Sequence, residues 1–276
     1  MDRAPDIDAI REMARRIRLD IVDMISKAGS GHPGGSLSSA DIVAALYFGV
    51  MNHDPAHPDW PGRDRFVLSK GHAAPLLYAA LANAGYFSRD HLGTLRQLGS
   101  ILQGHPDCRK TPGVEVSTGS LGQGLSISNG IALALRADGS ASTVYCLMGD
   151  GELQEGQVWE AAMFAAHYRI DNLVAIVDHN GLQIDGACDS VMDLRDVGAK
   201  FEAFGWTAFE VDGHDGGVIV DALAQAKAVR GGPAVLVCRT VKGRGVSFME
   251  NNADWHGKAP DADQTACAID ELSCEL

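Results

Sequence analysis

The sequence predicts an α/β domain built on a doubly wound, mainly parallel sheet with helices on both faces. Four near-continuous apolar runs, 143–148, 172–178, 206–212 and 234–240, read as buried strands. Helical stretches at 155–168, about 195–204, and 216–230 separate them, and a shorter strand at 65–69 precedes them. Strands apolar along their whole length belong to parallel sheets covered on both sides, and the intervening helices supply the crossovers.

The elements follow in order. Residues 6–28 carry Ile7, Ile10, Ile17, Ile21 and Ile25 near one stripe, a helix that Gly29 can stop. A second helix is expected over 39–51. The strand "RFVLS" leads into "GHAAPLLYAALANAG", a helix ended by Gly85. The stretch 117–130, "STGSLGQGLSISNG", is a glycine-rich turn opening a helix, although no convincing strand precedes it. Residues 1–260 form one domain in this reading, and 261–276 an appended acidic tail, partly disordered.

The 276 residues carry a net charge of −13, which argues against a nucleic-acid or anionic-membrane partner. The charged N-terminus is unlike a signal peptide, and no apolar run of membrane-spanning length occurs. Six cysteines without C-x-x-C spacing point to a reducing cytoplasm.

Residues 149–156 read "GDGELQEG", acids set among glycines at a strand end where ligands collect. The next strand ends in "DHNG" (178–181), one right-handed crossover later. If the two strands are neighbours, Asp150 and Asn180 lie side by side and offer hard oxygens to Mg²⁺ or Ca²⁺. A cation there would separate Asp150 from a phosphate, which Gly151 and the following helix N-terminus could receive. Singly, Asp150 and Asn180 read as turn and cap residues; as a pair they favour the metal. Glu152 and Glu155 read in isolation as solvated first-turn acids.

Four histidines adjoin glycine: His32, His72, His105 and His256. Their spacing is unlike a zinc site, so imidazoles lining a phosphate and sugar cleft are the expectation. Lys242 and Arg244, in "TVKGRG", read either as phosphate contacts or as solvated bases.

Together these segments resemble the transketolases over residues 10–260. "GDG" followed some thirty residues later by Asn is the signature of thiamine-diphosphate enzymes. "ELQEG", "SGHPGG", "VLSKGHA", "GHP", "GVEVSTGSLGQG" and "WHGKAP" narrow the resemblance to transketolase. It implies that Asp150, Asn180 and the Leu182 carbonyl hold Mg²⁺ (Ca²⁺ or Mn²⁺ as substitutes) on the cofactor diphosphate. It places His72, Gly119, Leu121, Gly151, Asn180 and His256 against thiamine diphosphate. It gives His32, His105 and His256 to the substrate hydroxyls and their protons, and Glu155 to the subunit interface that couples paired sites. Glu152 matches no functional position.

Where transketolases carry "GHPGAPLG" and "GPLGQG", this chain has "GHPGGSLS" and "GSLGQG", changes able to reshape the substrate channel. The resemblance also stops before the second half of a full-length transketolase. It therefore implies the N-terminal, diphosphate-binding subunit of a split enzyme. That enzyme would reversibly move a two-carbon ketol unit from a ketose or ketose phosphate to an aldose or aldose phosphate, in the pentose phosphate or a specialised sugar route. The implied partner is a C-terminal, pyrimidine-binding subunit in an α₂β₂ heterotetramer. Alternatives are a component resembling 1-deoxyxylulose-5-phosphate synthase or a 2-keto-acid dehydrogenase, and a non-catalytic cofactor-binding protein.

Overall fold

The computed structural model describes residues 5–274. Helix α1 (Ile7–Ala28) begins where the Asp6 carboxylate accepts from the Ala9 N–H and ends at Gly29, whose φ of 60° suits glycine. Its stripe of Ile10, Ile17, Ile21 and Ile25 is fully buried. Short helices α2 (Pro33–Leu37) and α3 (Ala40–Ala45) follow. The helix expected over 39–51 is α3 continued by a wider π-helical turn, Leu46–Val50. Strand β1 (Arg65–Leu68) leads through a 3₁₀ turn into α4 (Ala74–Ala84). After a long irregular segment come α5 (Gln123–Ala137), β2 (Val144–Gly149), a 3₁₀ turn at Gly151–Gln154, and α6 (Gly156–His167). Next are β3 (Leu173–His179) and a small hairpin, β4 (Leu182–Gln183) with β5 (Gly186–Ala187), which the sequence did not signal. Helices α7 (Cys188–Met192) and α8 (Val197–Ala203), β6 (Thr207–Asp212), α9 (Gly216–Ala228), β7 (Ala234–Arg239) and α10 (Ala262–Cys274) complete the chain.

The main sheet has the order β1-β2-β3-β7-β6, with every pair parallel. Successive residues of a strand face opposite ways, so β2 divides between two cores. Tyr145 and Leu147 join α1, α3, α4 and α9, whereas Val144, Cys146 and Met148 join α5, α6 and α8. Helices on both faces explain why these strands are apolar throughout. Strand β6 departs from the expected burial: it lies at the sheet edge and is half exposed.

The acidic 261–276 segment departs further. Its α10 buries Ala268 and Leu272 and packs on α1, with Thr265 hydrogen-bonded to Ser26 and Glu271 accepting from Ser247. Residues 275–276 lie outside the described residues. No described helix is long and apolar enough to cross a membrane.

Candidate functional site

The carboxyl ends of β1, β2, β3 and β7 open on one cleft of about 320 Å³. Its floor is a buried ion pair. Lys70, just past β1, is 1% exposed and directs its ammonium to Asp178 at 2.5 Å, the Gly35 carbonyl at 2.7 Å and Ser39 Oγ at 2.8 Å. Asp178, 0% exposed on β3, also accepts from Ser38, Thr240 and the Asn180 amide. Burial pushes the Asp178 carboxyl upward, but the Lys70 charge and these donors outweigh it and hold the group down at about 2. The pair is an ionised, fully bonded unit that orients its neighbours.

Asn180 is one such neighbour. Its Nδ2 donates to Asp178 at 3.0 Å while its Oδ1 accepts from the Leu182 N–H at 3.1 Å. The register sets Gly149 opposite Asp178, so Asp150 stands beside the "DHNG" turn, as adjacent strands require. Asp150 is 1% exposed and accepts from two backbone amides, Gly181 at 2.5 Å and Gly151 at 2.8 Å. Burial, then the nearby Asp178 charge, raises its pKa. A buried carboxylate held only by neutral amides, next to an amide oxygen and the Leu182 carbonyl, is a set of hard oxygens that suits a divalent cation. Among the described residues no cluster of three or more His, Cys, Asp or Glu could bind a metal, so an ion at this place would rest on mixed carboxylate, amide and carbonyl donors.

Gly151 also has a packing reason within the chain. A Cβ there would stand 2.9 Å from the Cβ of Gln183, so the glycine admits the β4–β5 hairpin over the turn.

The other two acids part company. Glu155 is exposed at the start of α6 and lines the cleft. Glu152 corrects the expectation of a solvated acid: it is 2% exposed and accepts from Ser69 Oγ, from the Gly122 N–H at 2.9 Å and from the Gly149 N–H at 3.1 Å.

Three of the four glycine-flanked histidines gather in the same cleft. The rings of His32, His72 and His256 form a triangle with centroid separations of 5.4, 5.4 and 5.2 Å. Burial, then neighbouring cationic groups, holds His32 at about 4 and His256 at about 3, and drives His72 well below the ordinary value. All three are neutral near pH 7. His105 does not line the cleft but abuts Gly119, where a Cβ would lie 3.1 Å from the His105 ring.

Of the two alternatives that the sequence leaves open for Lys242, the structure removes the solvated one, and it adds in Arg96 a base that the sequence does not signal. Lys242 is buried, not solvated, and donates to the Leu182 carbonyl at 3.1 Å and to His256 Nδ1 at 2.9 Å; burial pulls its pKa down to about 8. Arg96 reaches Ser30 at 2.6 Å and His32 Nδ1 at 3.4 Å, while its buried Nε has no partner. Arg244 lies outside the cleft lining and approaches Glu250 at 3.5 Å. The cleft therefore brings together His32, His72, Gly119, Leu121, Asp150, Gly151, Glu155, Asn180, Leu182 and His256, and adds Lys70 and Lys242. Two buried ammonium groups amid neutral imidazoles can hold an anion despite the acidic net charge.

Residues 9–275 match the family model described as the thiamine-diphosphate-binding domain of transketolase. The chain is 46% identical to the 6-deoxy-6-sulfo-D-fructose transketolase subunit of Clostridium sp. (strain MSTE9), covering 96% of this chain and 97% of that one. It is 42% identical to an apulose-4-phosphate transketolase subunit of Phocaeicola vulgatus, covering 97% and 95% respectively. A crystal structure of transketolase from Campylobacter jejuni superposes with a TM-score of 0.91 at 35% identity, over 97% of this chain and 43% of that one. The chain thus spans nearly all of the two subunits and less than half of the longer enzyme.

Proposed function

Since the chain belongs to the transketolase family, as the N-terminal, thiamine-diphosphate-binding subunit of a split enzyme, we propose that this cleft grips the cofactor's diphosphate through Mg²⁺. The observation that carries the proposal is the Asp150–Asn180 juxtaposition at adjacent strand ends, with Lys70 and Lys242 beneath. Asp150, Asn180 Oδ1 and the Leu182 carbonyl would hold the metal, with Ca²⁺ or Mn²⁺ as substitutes. Gly151, His72 and His256 would contact diphosphate, and Gly119 and Leu121 the rings. When bound, thiamine diphosphate supplies the electron sink for breaking and making the carbon–carbon bond beside a ketose carbonyl.

The chain's own residues orient, desolvate and move protons. His32, His105 and His256 are neutral at pH 7, so each can donate or accept at a sugar hydroxyl without a prior change of charge. Glu155, exposed at the start of α6, would face a second copy of the subunit. The transferred piece is a two-carbon ketol unit, passed from a ketose or ketose phosphate to an aldose or aldose phosphate. The two subunit relatives extend the candidate donors to 6-deoxy-6-sulfo-D-fructose and apulose 4-phosphate. A C-terminal, pyrimidine-binding subunit would complete the site in an α₂β₂ assembly. All six cysteines are unpaired, which supports a cytoplasmic location.

The test is turnover of xylulose 5-phosphate and the two specialised ketoses by the chain with Mg²⁺ and thiamine diphosphate, with and without the partner. Activity is expected only with the partner. Full turnover by the chain alone would refute the split-site reading, and failure of the reconstituted pair with every ketose would refute the transferase assignment.

A further inference from the structure

Glu152 has no part in the metal or phosphate contacts proposed above, yet it is among the most buried acids in the protein. Both of its oxygens are turned into the scaffold. Oε1 accepts from Ser69 Oγ, at the end of β1, and from the Gly122 N–H, at the turn that opens α5. Oε2 accepts from the Gly149 N–H, at the end of β2. Ser69 Oγ in turn accepts from the Gly124 N–H at 3.1 Å, so the serine links the carboxylate to the first turn of α5 as well.

Three segments distant in sequence meet on this one side chain. Each carries a cleft residue immediately beside the bonded atom: Lys70 after Ser69, Leu121 before Gly122, and Asp150 after Gly149. Three donors and no acceptor face Glu152, a set that only the ionised carboxylate satisfies in full. Burial opposes that form and raises the pKa, while Ser69, the two amides and the Lys70 charge favour it.

We propose that Glu152 is a positioning residue: a buried carboxylate clamp that sets Lys70, Leu121 and Asp150 in register for the cofactor. This rests on the cleft being the cofactor site. Glutamine is nearly isosteric but replaces one accepting oxygen with a donating NH₂, which must face either the Gly149 amide or the Ser69–Gly122 pair. The variant therefore forfeits at least one buried bond without changing side-chain volume.

Two readouts separate the clamp from the cofactor assignment. In Glu152→Gln, hydrogen exchange should quicken about tenfold or more in peptides covering 118–124 and 144–151, while peptides of α1 exchange as in wild type. In the complex with its partner subunit, calorimetry with thiamine diphosphate and excess Mg²⁺ should show affinity weakened about tenfold or more, with the melting temperature lowered by only a few degrees. Ser69→Ala should give a smaller loss of the same kind, and the double variant should lose less than the two single losses combined, because both act through one bond. Unchanged exchange in the two peptides would overturn the clamp, whatever the protein binds. So would wild-type cofactor affinity and kcat in a variant that merely melts earlier, or strict additivity with Ser69→Ala. Failure of the wild-type complex to bind thiamine diphosphate would instead overturn the cofactor reading.

Discussion

Replacing Lys70 with methionine tests whether the ion pair beneath the cleft is a structural support for the site. The substitution keeps the side chain's length and deletes the ammonium that bonds Asp178, the Gly35 carbonyl and Ser39. Asp178 keeps Ser38, Thr240 and Asn180 as donors but loses its only ion-pair partner among the described residues. The Asp178 carboxyl is shifted from 3.8 to about 2. That depression is the net of burial, which raises the carboxyl, and of the Lys70 charge with the Ser38 and Thr240 donors, which lower it. With Lys70 the largest of the lowering influences, it corresponds to roughly 2–3 kcal/mol. Leaving the buried Gly35 carbonyl short of a donor adds about 1 kcal/mol. The expected loss is therefore about 3–4 kcal/mol, within the range for breaking a buried pair by removing one partner. The sign of the pH dependence follows from the depressed pKa. Asp178 contributes fully above pH 3.8, and the contribution is lost as pH falls through about 2. Urea denaturation of both proteins without metal or cofactor should thus show the widest gap at pH 7 and a narrower one near pH 3. A gap below about 1 kcal/mol at neutral pH, or one that widens on acidification, would refute the reasoning.

Asp150→Asn keeps the shape of the turn but removes the charge facing the proposed cation; Mg²⁺-dependent thiamine diphosphate binding, followed by calorimetry, should weaken by more than the 10–100-fold typical of an outer-shell partner. Wild-type affinity in that variant would return Asp150 to the role of a turn residue. The histidine triangle predicts a second pH effect. His32 and His256 are held at about 4 and about 3, below the ordinary 6.5, so the unfolded chain binds protons that the folded chain refuses. Their contribution is full above pH 6.5 and is lost on the way down toward 4, so calorimetric melting should fall between pH 7.5 and 5; a rise would contradict neutral imidazoles. Gly124→Ala would place a Cβ 2.3 Å from Ser69 Oγ and 2.8 Å from its Cα. The clash with backbone should cost at least 1–3 kcal/mol in denaturant titration, and a neutral effect would mean that the α5 N-terminus sits farther from β1.

What the sequence disclosed, and what it hid, divides along a physical line. The sheet was legible because β2, β3 and β7 are apolar on both faces, a pattern that only a covered parallel sheet explains. The edge strand β6 was read less well, since its half-exposed surface follows from strand order, which composition does not encode. The Asp150–Asn180 pairing was legible from one crossover, because handedness and adjacency are backbone rules. Helix α10 was misread because its apolar stripe is narrow: Ala268 and Leu272 are buried within thirteen largely acidic or small residues. Glu152, Lys70 and Lys242 were opaque for another reason. A buried charge is tolerated only where its hydrogen bonds are complete, and the partners that complete these come from far along the chain. Glu152 meets Ser69 across 83 residues, Lys70 meets Asp178 across 108, and Lys242 meets Leu182 across 60. Local reading assigns such residues to solvent by default. The three acids of "GDGELQEG" show the consequence within eight positions: Asp150 is buried on neutral amides, Glu152 is bonded to three separate segments, and Glu155 is exposed at the mouth. Nothing in their spacing distinguishes these fates; the difference lies in which strand end or turn is packed against each carboxylate.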